Sequence, residues 1–85
     1  MNEMDVFIKT EFIKLDQLLK FVGVAESGGH SKEIIAEGVV LVNDEVCLMR
    51  GKKIKEGDRV TLDDNCFIIK NQQEPIKVKL KKIVK

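Results

Sequence analysis

The sequence predicts an α+β domain: two helices joined by a tight turn, followed by a small, mostly antiparallel sheet. Three observations carry that prediction. Apolar residues recur with helical spacing between Leu15 and Val22. After Gly38 the pattern changes to short β-branched runs separated by turn residues. With 85 residues the chain has the length of one domain with one small core.

The elements follow in order. "DVFIKT" alternates weakly and reads as a short first strand. "FIKLDQLLKFVGV" reads as the first helix, because Leu15, Leu18, Leu19 and Val22 lie at i, i+3, i+4 and i+7 on one face. Asp16 suits the positive end of its dipole, and Gly23 marks its stop. A shorter second helix has Ile34 and Ile35 on its apolar side and ends at Gly38. Either Ser31 or Ser27 could cap it. Ser27 is preferred, since the helix then has about ten residues, near the typical length.

The strand region begins with "VVLVND", which closes on the turn pair Asn43-Asp44 and returns as "EVCLM". "RGKKIKEGDRV" holds a turn at Glu56-Gly57-Asp58. "RVTLDDNCFIIK" reads as a hairpin about Asp63-Asp64-Asn65. Pro75 then breaks the pattern. "IKVKLKKIVK" alternates apolar residues with lysines, so residues 71–85 read as a Lys-rich strand or tail following a domain of residues 1–70.

Composition excludes several classes. At 44% hydrophobic and 34% charged, the chain is an ordinary globular one. No apolar run approaches the roughly 20 residues that span a bilayer. The N-terminus has acids where a signal peptide has positive charge, so a cytoplasmic location is expected. Cys47 and Cys66 sit in apolar segments and read as small reduced hydrophobes. With one His they are too few and too scattered for a metal site. Neither a cofactor nor a small-molecule substrate is expected.

Charge is uneven. The net charge is +1, but residues 1–69 hold nine Lys/Arg against thirteen Asp/Glu, and residues 70–85 hold six Lys against one Glu. Within the body, "RGKKIK" places four cations in six residues, Arg50 to Lys55. A polyanionic partner would therefore meet local patches rather than a favourable overall field.

The stretch "ESGGHSK", Glu26 to Lys32, concentrates candidate chemistry. His30 adjoins Ser31, but helical neighbours point about 100° apart and pair poorly. There is no acid placed to orient the imidazole, no phosphate-binding P-loop and no dinucleotide fingerprint. Anion binding fits better. A helix beginning after Ser27 offers unpaired backbone N–H groups, and Gly28 and Gly29 leave room for a phosphate. Lys32, one turn in, adds charge. Such a Gly-Gly stretch is also compatible with a plain helix-helix turn. Arg50, Lys52 and Lys53 form a second candidate phosphate contact. Two such contacts in so small a domain resemble a nucleic-acid surface. The chain has four Phe and neither Tyr nor Trp, and all four Phe lie in apolar context. Recognition of folded RNA through its backbone and shape therefore fits better than stacking on single strands.

The order of these residues resembles a known family. "LDQLLKFVGVAESGGHSKEIIAEGVVLVND…RGKKIKEGDRV" is similar to the αL-motif RNA-binding domain of the ribosomal-protein S-four type. That family reads as helix, Ser-containing turn, second helix, Gly-x-Val-x-Val-Asn-Gly, a basic patch, and Gly-Asp before a valine. Ser27, Lys32, Ile35, Gly38, Val40, Val42, Asn43, Gly57, Asp58 and Val60 match it. "SGG" and "RGKK" resemble the small stand-alone bacterial YaaA/YbcJ-like branch. The resemblance spans residues 13–62. It departs at Gly28, where the family often has Arg, at Glu33, at Met49 and at Asp44.

The resemblance implies a two-helix αL motif packed on a small, mostly antiparallel curved sheet. It also implies binding of structured RNA, ribosomal or transfer, with the ribosomal particle as a further candidate partner, and no catalysis. Carried onto this chain, Ser27 takes the cap position and Lys32 a basic position at the RNA face. Arg50, Lys52 and Lys53 take the basic run. The expected contacts are Ser27, Gly28, Gly29, His30, Lys32, Arg50, Lys52 and Lys53, with Lys14 and Lys20 on the first helix as secondary candidates. Two rival readings are a protein-interaction adaptor without RNA contact and, more remotely, a small hydrolase using His30.

Overall fold

A computed structural model describes residues 2–71. The Lys-rich segment expected over residues 71–85 lies, from residue 72 on, outside the described residues. Two helices pack against one face of a five-stranded sheet, with a separate two-stranded ribbon beside them.

The first strand, β1, runs Asn2–Ile8 and turns Val6 and Ile8 inward while Asp5 and Phe7 stay exposed. β2 is Phe12–Lys14 and α1 is Leu15–Phe21. The first three residues of "FIKLDQLLKF" are thus strand rather than helix. Their backbone pairs with another strand, which the helical spacing downstream could not reveal. Leu15, Leu18 and Leu19 are wholly buried on α1. Each contributes roughly 1.5–3 kcal/mol by leaving water. Gly23, at φ +84°, stops the helix in a conformation that side chains disfavour. The chain then folds back, and the amides of Val24 and Ala25 both donate to the Leu19 carbonyl.

The second helix, α2, is Gly28–Ala36 with Ser27 as its N-cap, the longer of the two alternatives. It buries Ser31 and Ile35. Gly38, at φ +76°, ends it as the sequence suggested.

The strands β3 (Val40–Val42) and β4 (Glu45–Val46) form a hairpin. Asn43 and Asp44 both have positive φ, 52° and 72°, the geometry of a two-residue turn that follows strand twist. Only two residues of "EVCLM" remain in β4. β5 (Lys53–Lys55) pairs with β2. β6 (Arg59–Leu62) and β7 (Asn65–Asn71) form the last hairpin.

The large sheet has the order β1-β7-β6-β3-β4. Its pairs are antiparallel except β1 with β7, which run parallel from Asn2↔Asn65 to Ile8↔Asn71. β7 therefore has a partner on each side, which suits its nearly continuous apolar run "CFII". The core is Val6, Ile8, Val40, Val42, Val60, Leu62, Phe67 and Ile69 from this sheet. The three α1 leucines, Ala25, Ile35 and Ile54 complete it. Cys47 is half-buried and Cys66 buried, and both are free thiols. Cys66 joins Thr61 on the opposite face of the sheet, where the register pairs them.

Candidate nucleic-acid interface

The site is built from the start of α2, the start of α1 and the loop before β5. At α2, the Ser27 backbone is extended and its Oγ accepts from the His30 amide at 3.1 Å. The His30 ring reaches back, and its Nδ1 accepts from the Glu26 amide at 3.1 Å. One amide that the helix start leaves without a partner, that of His30, is thereby satisfied, and the ring pins the residue before the cap, a variation on the reciprocal bonding of a capping box. Among the described residues, no hydrogen bond engages the amides of Gly28 or Gly29. A Cβ on Gly28 would meet nothing within 4 Å, and one on Gly29 only Ser27 Oγ at 3.9 Å. Neither glycine has positive φ, so neither is needed for backbone conformation. What they contribute is open space over two unsatisfied N–H groups at the positive end of a helix, a geometry that favours an anion.

The next residue ties this turn to the rest of the site. Ser31 is wholly buried, and its Oγ donates to the Asp16 carbonyl at 2.8 Å. Asp16 in turn donates its amide to the Arg50 carbonyl at 3.0 Å, and Leu15 donates to the Lys52 carbonyl at 2.9 Å. Lys14, the N-cap of α1, gives no side-chain cap. The Arg50–Lys52 loop supplies that cap with its carbonyls instead. Lys52 closes the loop as a tight turn by donating to the Met49 carbonyl at 3.1 Å. Lys32 follows Ser31 on α2. The two basic clusters, eighteen or more residues apart in sequence, are therefore joined through one residue, Asp16.

The ribbon extends the cationic surface. Its register is Phe12↔Lys55, Ile13↔Ile54 and Lys14↔Lys53. Ile54 is wholly buried, so alternation puts Phe12, Lys14, Lys53 and Lys55 together on the outer face. Lys53 Nζ lies 5.0 Å from the centre of the Phe12 ring, within cation–π range. Lys55 belongs to this face, although it is not among the contacts that the sequence singles out. The signal is present in "KIK", a strand with its isoleucine inward. Among the described residues, none of Lys14, Lys32, Arg50, Lys52, Lys53 and Lys55 is engaged in an ion pair. By contrast, Arg59 is held by Asp44 at 2.8 Å.

Two expected contacts stand differently. Lys20 is exposed in the last turn of α1, where it complements the negative end of the dipole. No bond ties it to the cluster at the other end of that helix. His30 has one ring nitrogen committed to the Glu26 amide, so its first role is in the cap. The same bonds bear on hydrolase chemistry. The Ser31 hydroxyl is buried and donates to a backbone carbonyl, and the adjacent imidazole bonds elsewhere. Among the described residues, no group of His, Cys, Asp or Glu is placed to hold a metal ion, and no helix is long and apolar enough to cross a membrane.

Comparison with known proteins agrees with this architecture. The S4 domain profile matches residues 6–70. The chain is also similar to "Probable ribosome maturation protein RlbA" of Bacillus subtilis (strain 168), with 45% identity over 58 residues. That match covers 68% of this chain and 82% of the relative, which is thus itself little more than such a domain. The profile begins within β1 and ends within β7, so it takes in both helices, the basic loop and at least part of every strand of the five-stranded sheet: the chain belongs to the S4 domain family.

Proposed function

We propose that this protein is a cytoplasmic, non-catalytic RNA-binding module. It grips structured RNA, ribosomal or transfer, through phosphates, and it serves on the ribosomal particle. The single observation that carries the reading is the bonded path from Ser31 through Asp16 to Arg50. It holds the α2 N-terminus and the Arg50–Lys53 run against each other, so that one RNA backbone can meet both. The Gly28 and Gly29 amides take one phosphate, and Lys32, Arg50, Lys52 and Lys53 take its neighbours. Lys14 and Lys55 extend the track along the ribbon. Contacts of this kind position an RNA without reading its sequence. The membership of the S4 domain family supports RNA as the partner, and the relative's name supports ribosome maturation as the setting.

The test is crosslinking in cells followed by sequencing of the RNA attached to the protein. Enrichment of structured ribosomal or transfer RNA, with crosslinked peptides from residues 27–32 or 50–55, is the expected result. Recovery of no RNA above background, with the protein bound to other proteins instead, would refute it.

A further inference from the structure

Beside the basic loop lies a feature that phosphate binding does not use. Val39, Val46, Leu48 and Met49 are all exposed, Leu48 at 62% and Met49 at 65%. Four of the seven exposed large hydrophobics of the described residues thus gather in one short region. They are not scattered singly, as exposed apolar residues on a soluble surface usually are. Met49 opens the turn that presents Arg50 and Gly51, because its carbonyl accepts the Lys52 amide.

Of these, Val46, Leu48 and Met49 line a groove. Its walls are Val42, Val46, Cys47, Leu48 and Met49, with Lys52, Asn43 and Glu45 at the polar positions, and its volume is about 260 Å³. That is below the roughly 300–1,000 Å³ of ordinary small-molecule pockets. The groove is polarised. Lys52 provides a cation, Glu45 an exposed carboxylate, and Val42, Val46 and Leu48 provide an aliphatic floor. Asn43 contributes little to a ligand, since its side chain is held by the Arg59 amide at 3.0 Å and by Asp58 at 3.2 Å.

A single nucleotide has the same polarity. Its phosphate matches Lys52, the faces of its base match the aliphatic floor, and an exocyclic amino group matches Glu45. Carboxylates accept hydrogen bonds from such amino groups. Apolar side chains, Met and Leu among them, are also used to hold unstacked base steps apart. A continuous helix offers no free base here. One interrupted by a bulge or an internal loop does.

We propose that Leu48 and Met49 form an apolar wedge that takes one unstacked nucleotide, of an amino-bearing base, next to the phosphates held by Arg50 and Lys52. This deepens the RNA-binding reading and rests on it. The preferred RNA is then a stem interrupted by an unpaired A, C or G rather than a perfect duplex.

The experiment compares two hairpin RNAs of equal length by fluorescence anisotropy, one with a single bulged adenosine and one fully paired. The whole chain is used, alongside a Leu48→Ala, Met49→Ala double variant and a Glu45→Gln variant. All three substituted residues are exposed, and circular dichroism checks that each variant is folded. The wild-type protein is expected to bind the bulged hairpin about tenfold more tightly, the worth of one good base contact. The double variant is expected to lose most of that preference while keeping its affinity for the paired hairpin. Glu45→Gln, whose amide oxygen still accepts, is expected to retain most of it. Equal wild-type affinity for the two hairpins overturns the wedge while leaving phosphate binding intact. So does an unchanged preference in the double variant, and loss of its association with ribosomal particles would then assign the strip to a protein partner. Failure of the wild-type protein to bind either hairpin at low salt refutes the RNA reading itself.

Discussion

The hydroxyl of Ser31 donates a hydrogen bond to the main-chain carbonyl of Asp16 at 2.8 Å, from a position with no solvent exposure. This bond holds the start of α2 against the start of α1. Asp16 passes the constraint on, because its amide is bonded to Arg50. Ser31→Ala removes the donor without leaving a charge or a bulky group behind. The expected cost is about 1 kcal/mol, the net worth of an ordinary hydrogen bond. In a domain of this size that lowers the midpoint of thermal unfolding by roughly 4–8 °C. A melting curve unchanged from wild type would show that packing alone holds the helices together.

Lys52 and Lys53 are exposed and in no ion pair among the described residues, so the double variant Lys52→Ala, Lys53→Ala should fold normally. RNA affinity should fall, and the plot of log K against log salt should become shallower by about 1 to 2 units, since the slope scales with the number of phosphates the protein neutralises. Titrations at several salt concentrations measure this. An unchanged slope in the folded variant would take both lysines out of the interface. Lys55→Ala is expected to reduce the slope by a smaller amount in the same assay.

Gly28 and Gly29 separate stability from binding. Both have open space and helical backbone, so a side chain is tolerated there. Gly28→Ala should be neutral to stabilising, by up to about 0.5–1 kcal/mol, because alanine loses less conformational entropy in a helix. Its methyl group nevertheless stands where a phosphate would approach the amides, so RNA binding should weaken. Gly29→Val should show the binding loss more strongly and cost more in affinity than in stability. Paired melting and RNA titration decide this. If both variants bind as wild type does, the α2 N-terminus holds no phosphate.

Asn43 controls the turn that begins β4. Its φ is 52°, its Oδ1 accepts the Arg59 amide at 3.0 Å, and its Nδ2 donates to Asp58 at 3.2 Å. Asp58 is itself fixed, accepting from the Lys55 amide at 2.9 Å. Asn43→Ala loses both bonds and adds backbone strain, for an expected cost of about 2 kcal/mol. Asn43→Gly loses the bonds but not the backbone freedom, and should cost about half as much. Denaturant titration of the two variants separates the contributions. Equal losses would mean that the backbone conformation is not strained for a side chain here.

Much of this architecture follows from local chemistry. Leu15, Leu18 and Leu19 announce a helix by spacing alone, and Gly23 and Gly38 end helices because left-handed backbone favours glycine. Ser27 is the better cap by sequence because the alternative leaves the helix too short. Asn43-Asp44 and Asp63-Asp64 mark hairpins because short polar side chains tolerate positive φ. The candidate contacts Ser27, Gly28, Gly29, Lys32, Arg50, Lys52 and Lys53 are legible for the same reason. Each belongs to a short segment whose meaning depends on its own residues. His30 is legible as a residue of that turn, though not as part of its cap.

Long-range pairing lies beyond such patterns. That Phe12–Lys14 is a strand depends on Lys53–Lys55 beside it, some forty residues away. The same pairing puts Lys55 on the cationic face, because only a buried Ile54 defines which side faces water. The parallel register of β1 with β7 joins the two ends of the described chain, and no local pattern specifies a partner. The link between the turn that carries Lys32 and the loop that carries Arg50 rests on a hydroxyl and two main-chain groups, and a backbone carbonyl looks alike at every residue. Composition could supply the charges of the candidate site, but only the packing of α1 between α2 and the basic loop bonds the two segments that carry them to one another.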